Sequence, residues 1–128
     1  MNNQLRTLRW PGVWLAGAWL LVAAVVVLSL VPIPADVSAG RSDKIAHLVA
    51  YGILMFGFTQ IYLSGRARIV TAVGLALLGV ALEVLQGHTG YRSFDLADMA
   101  ANALGVLLGW GLGPPRTVNL VALVERVL

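Results

Sequence analysis

Residues Val13 to Val31 run without one charged side chain and stop at Pro32 and Pro34. A helix that crosses a bilayer needs about 20 mainly apolar residues at about 1.5 Å rise each, and proline cannot continue a helix interior. The run therefore predicts a spanning helix with a defined end. Three later segments repeat the pattern with polar interruptions. Lys44 to Ser64 is apolar except for Lys44, His47, Tyr51, Thr59 and Gln60, and Ile69 to Gln86 except for Thr71, Glu83 and Gln86. Asp95 to Leu112 opens with a polar turn and becomes apolar from Ala100, apart from Asn102. The stretches between these segments are too short and too apolar to build a soluble domain.

Charge supports the same reading. Only 12% of the residues are charged, against about 25% in a soluble domain, which is too few to cover a water-facing surface. A hydrophobic content of 59% excludes intrinsic disorder, and the absence of cysteine excludes a disulfide-stapled secreted module. In such a chain the net charge of +3 reports orientation first and is no sign of nucleic-acid binding. Arg6, Arg9, Arg66, Arg68, Arg116 and Arg126 fall on one side of four spans, and Arg41, Lys44 and Arg92 on the other. That bias places both termini in the cytoplasm.

The expected fold is an all-α membrane protein, an antiparallel bundle of four transmembrane helices over residues 13–31, 44–64, 69–86 and 95–112. Residues 1–128 make one domain. The tail, residues 117–128, is too short to span. Its apolar positions Val118, Val121, Val124 and Leu128 suit a helix lying in the interface. The first segment has a rival reading as a signal peptide, with Val37-Ser38-Ala39 as the cleavage motif. Its apolar stretch is longer than the 7 to 15 or so residues of a signal core, which favours an uncleaved helix.

Few polar residues remain within the spans, and they gather at one end. Asp43, His47 and Tyr51 are spaced i, i+4 and i+8, on one face of the second helix. Glu83 and Gln86 sit where the third helix returns to the same surface, Asp95, Asp98 and Asn102 where the fourth leaves it, and Arg92 in the loop between. An ionisable side chain at membrane depth costs several kcal/mol unless it finds a partner or water, so such residues face the bundle interior and often mark a site. Taken singly, each is best read as interhelical glue, contributing about 0.6 to 2 kcal/mol per hydrogen bond. Their convergence favours a binding or catalytic pocket. Ala97, Ala101, Gly105 and Gly109 put a small residue at every fourth position of the fourth helix, a contact line for another helix of the same chain or of a second copy in a homo-oligomer.

The stretches DKIAHLVAYGIL (43–54), ALEVLQ (81–86) and RSFDLADMAANALGVLLG (92–109) resemble the VanZ-like family of small bacterial membrane proteins. The family pattern is an Asp-Lys-x-x-His-x-x-x-Tyr block, a Glu-x-x-Gln pair and an Arg-x-x-Asp-x-x-Asp-x-x-x-Asn-x-x-Gly block. Asp43, Lys44, His47, Tyr51, Glu83, Gln86, Arg92, Asp95, Asp98, Asn102 and Gly105 occupy the matching positions. The resemblance implies a multi-pass protein of the bacterial inner membrane and a link, through the founding member, to resistance against the glycopeptide teicoplanin. It implies no settled biochemical activity.

Two uses of the cluster stand side by side. In an enzyme acting on a lipid-linked or cell-envelope substrate, His47, Glu83 and Asp98 are the candidates for proton transfer. Lys44 and Arg92 would then hold a phosphate or carboxylate. The carboxylates and His47 are also a donor set for a divalent cation, Mg²⁺, Ca²⁺ or Mn²⁺, although no ligand spacing as specific as H-E-x-x-H occurs. Ser42 and Ser93 lie outside any G-x-S-x-G elbow, so no activated nucleophile stands out. In a binding module, Asp43, Lys44, Tyr51, Gln86, Arg92, Asp95 and Asn102 would recognise a lipid head group, a peptidoglycan precursor or a glycopeptide without chemistry. A transporter fits less well, because the inner half is polar only at Thr59, Gln60 and Thr71. His88 and Tyr91 are expected to be solvated loop residues.

Overall fold

The computed structural model describes residues 8–32, 41–62, 65–90 and 94–128 of the chain. Its helices are α1 (Pro11–Leu30), α2 (Arg41–Ile61), α3 (Gly65–Gly87), α4 (Leu96–Gly111) and α5 (Leu120–Val127). The Val37-Ser38-Ala39 motif lies outside the described residues.

Local chemistry explains where these helices start and stop. Proline occupies the first turn of α1, where its missing N–H costs nothing. The helix ends at Val31, whose extended backbone (φ −80°, ψ 150°) is the conformation that a following proline imposes. Asp95 caps α4 by accepting from the Ala97 amide at 2.9 Å, and Asn119 caps α5 by accepting from Ala122 at 2.9 Å.

Helices α1, α2 and α3 are long and apolar enough to cross a membrane. The fourth has 16 residues, about 24 Å of helix against a hydrocarbon core of about 30 Å, so it is shorter than the sequence pattern suggested. Large apolar side chains cover the outside of the molecule, among them Trp19, Leu20, Leu28, Val70, Leu77 and Leu107. On α1 only Ala18 and Val22 are buried. A helix apolar on every side yet barely buried by its own chain requires an apolar surrounding.

Successive helices run in opposite directions, but the tightest pair is α2 and α4, which run parallel. Glycine makes this approach possible. A Cβ at Gly105 would overlap the Leu48 carbonyl oxygen, and one at Gly109 would overlap that of Gly52. Two positions of the small-residue line are thus filled within the chain, while Ala97 is exposed. The contact sets the register of the first turns, bringing Lys44 and His47 beside Asp98 and Asn102. Along the rest of α2, Leu54, Met55, Phe58 and Ile61 form the core with Ala18 and Val22 of α1, Ala72 and Leu75 of α3 and Val106 of α4. Trp19 meets Phe58 edge to face, with ring centroids 5.4 Å apart.

The other end of the bundle is closed by polar bonds. Arg68, buried, donates to the carbonyls of Thr59 (2.8 Å), Tyr62 (3.1 Å) and Pro114 (2.5 Å), meeting the unpaired carbonyls at the end of α2. Gln60 accepts from the Leu120 amide at 2.7 Å, and its own carbonyl accepts from Asn119 at 2.9 Å. Glu125 accepts from the Arg9 amide (2.7 Å), the Trp10 amide (3.1 Å) and the Trp14 indole (2.7 Å). Helix α5 is therefore a strap across this end, tied to both α1 and α2.

Candidate functional site

The opposite end gathers the polar residues expected from the sequence. Lys44 Nζ lies 2.9 Å from Asp95 Oδ2 and 3.3 Å from Asp98 Oδ1, linking α2 to the start of α4. The Lys44 ammonium, helped by the Ala97 amide, holds the Asp95 carboxyl below its ordinary value of 3.8. His47 donates from Nδ1 to Asn102 Oδ1 at 2.9 Å, since a carbonyl oxygen can only accept. Its Nε2 then faces Asp43 Oδ2 at 3.6 Å and Asp98 Oδ2 at 3.7 Å. Asp43 and Asp98 are both buried. Gly79 on α3 keeps the back of Asn102 close, because a Cβ there would come within 3.0 Å of its side-chain nitrogen.

Glu83 is held by a backbone group. Its Oε1 accepts from the Asp95 backbone N–H at 2.7 Å, so it holds the turn that begins α4. The second oxygen, Oε2, is buried and has no hydrogen-bond partner among the described residues. Gln86 turns away from the acids and donates to the Ser29 carbonyl of α1 at 2.7 Å. Tyr51 is fully buried beneath His47. Arg92, Ser93 and Tyr91 lie outside the described residues, as does the Ser42 side chain. His88 is exposed and bonds the Val84 carbonyl at 2.8 Å.

An open groove of about 210 Å³ runs between α1 and α2, lined by Val25, Leu28, Ser29, Asp43, Ala46, His47, Ala50 and Tyr51. It joins an apolar wall to the polar end. Chemically, the site offers a neutral or charged imidazole, several carboxylates in different environments, and one ammonium already engaged by two of them.

Several polar residues at the strap end, Gln60, Arg68, Asn119 and Glu125, carry bonds that the sequence did not assign. In the sequence pattern Arg68 marks only a basic flank. Asn119 ahead of a short amphipathic run was the one available signal, since that residue type favours helix caps.

The VanZ/LLP1 family model matches residues 14–118, from the first turns of α1 to the residues before α5. Neither the curated proteins nor the solved structures contain a match to the chain. The match covers most of the sequence, including every polar residue of the cluster and the glycine contact that sets its register. The chain belongs to the VanZ/LLP1 family, and its long apolar helices make it a VanZ-like membrane protein.

Proposed function

We propose that this protein is a multi-pass component of the bacterial inner (cytoplasmic) membrane, with four spans and both termini in the cytoplasm. Its polar end opens outward and binds the head group of a lipid-linked or cell-envelope ligand. The groove between α1 and α2 carries this reading. Val25, Leu28, Ala46 and Ala50 give it an apolar wall, and Ser29, Asp43 and His47 a polar end, so a single amphiphile would find partners for its chain and its head. The arginine excess on the strap side supports the orientation. The short α4 serves as the fourth crossing through its seam with α2, with local thinning of the bilayer making up the length.

Lys44 is already held by Asp95 and Asp98. That engagement favours a head group rich in hydroxyls or amines, as in the sugar and peptide of a peptidoglycan precursor, over a bare phosphate. With such a ligand, loss of the protein would alter sensitivity to teicoplanin.

Ala50→Phe fills the groove from its half-buried wall. Native mass spectrometry with a lipid-linked peptidoglycan precursor should show affinity falling about tenfold or more, with thermal unfolding unchanged. A folded variant that binds normally would end the groove reading.

The interhelical bonds favour a second reading, in which the cluster is glue. Lys44 to Asp95 and Asp98, His47 to Asn102 and Gln86 to Ser29 each join two helices. Glu83→Gln and Asp98→Asn separate the readings. In a binding or catalytic site they leave the bundle folded and reduce ligand capture or turnover; in glue they lower the unfolding temperature, and binding falls only with the folded fraction.

A further inference from the structure

We propose that Asp43, His47 and Asp98 form a binding site for a divalent metal ion of the zinc or manganese type. One ligand atom from each lies within 4.8 Å of the others. The distances from His47 Nε2 to Asp43 Oδ2 and Asp98 Oδ2, 3.6 and 3.7 Å, are too long for direct hydrogen bonds. They fit donors that share one ion: a tetrahedral metal about 2.1 Å from each ligand holds its ligands about 3.4 Å apart.

The imidazole is also prepared for the role. Its Nδ1 is taken by Asn102, which turns Nε2 towards two carboxylate oxygens. An outer-shell acceptor of this kind fixes the tautomer and ring orientation of metal-bound histidines.

Glu83 supplies the independent observation. Its Oε2 is buried and unpartnered among the described residues, at the end of the bundle where Asp95 joins Lys44 and Asp98. That oxygen can accept from a metal-bound water. Asp43 and His47 also line the open groove, which gives an ion a path in and leaves part of its coordination sphere to solvent or ligand. One nitrogen and two oxygens favour Zn²⁺ or Mn²⁺ over Mg²⁺, which prefers oxygen alone.

The test uses the full chain in detergent, stripped with a chelator and titrated calorimetrically with ZnCl₂, MnCl₂ and MgCl₂ and no lipid present. One zinc per chain is expected, with Mg²⁺ much weaker. His47→Gln and Asp43→Asn should abolish the binding, Asn102→Ala should weaken it about 10- to 100-fold, and His88→Gln should leave it unchanged. NMR of ¹⁵N-histidine wild-type protein covers the case in which variants do not fold: Zn²⁺ should shift the His47 Nε2 signal while Nδ1 stays protonated. No bound zinc, zinc lost with His88 instead of His47, or a His47 resonance that only titrates with pH and ignores zinc would overturn the proposal. Because no lipid is involved, failure here leaves the groove reading to its own test.

Discussion

At the scale of single residues, glycine separates the positions that hold the site from those that do not. Gly105 and Gly109 lie against the α2 backbone with no room for a methyl group, whereas Gly57 and Gly74 have nothing within 4 Å of an added Cβ. Gly105→Ala and Gly109→Ala should each destabilise the protein by about 1–3 kcal/mol in a detergent unfolding assay, the usual range for overpacking. Gly74→Ala should be neutral or slightly stabilising, since alanine is the better helix former. The reverse ranking would mean that the α2–α4 seam is misplaced. The four-residue spacing made the close approach legible, and the spacings of Asp43, His47, Asp98 and Asn102 predicted their shared end of the bundle. The partner of Gln86 was not legible. It is a backbone carbonyl at Ser29, and backbone acceptors leave no trace in a side-chain pattern. The partner of Glu83 was illegible for the same reason, because it is the Asp95 N–H.

At the scale of elements, α5 shows how a short amphipathic tail becomes part of the fold. The helical spacing of Val118, Val121, Val124 and Leu128 identified the helix, but not the face that turns inward. Three donors brought together from α1 and the two residues before it decide that by meeting Glu125. Burial alone would raise the Glu125 carboxyl, but the Arg9 and Trp10 amides, the Trp14 indole and the Arg9 charge outweigh it and hold the group below its ordinary 4.5. A carboxyl lowered in the folded state stabilises the fold fully above its unfolded value and loses that contribution as pH falls through the folded value. The strap should therefore stay docked from neutral pH to about 4.5 and release below it. Trp14 fluorescence, read with Trp10, Trp19 and Trp110 replaced by Phe, should hold steady above pH 4.5 and change only below. A transition above 4.5 would show that Glu125 is not the clamp.

At the scale of the whole molecule, the polar residues divide between two ends with different work. One end is sealed, its carbonyls met by Arg68 and its face strapped by α5. The other holds buried acids, a histidine and an open groove. Segment lengths and apolar runs made the helices legible to within a few residues, α4 most closely of all. The parallel seam of α2 and α4 was not legible, because a small-residue line specifies a close neighbour without saying which helix it is. The open end is proposed to face outward, and the lack of any native cysteine makes this directly measurable. His88→Cys, exposed beside the site, and Arg126→Cys, exposed on the strap, would each carry the only thiol in the chain. With a membrane-impermeant maleimide, an outward-facing site should give labelling of the first in intact spheroplasts and of the second only after permeabilisation. Labelling of the second alone in intact cells would contradict it.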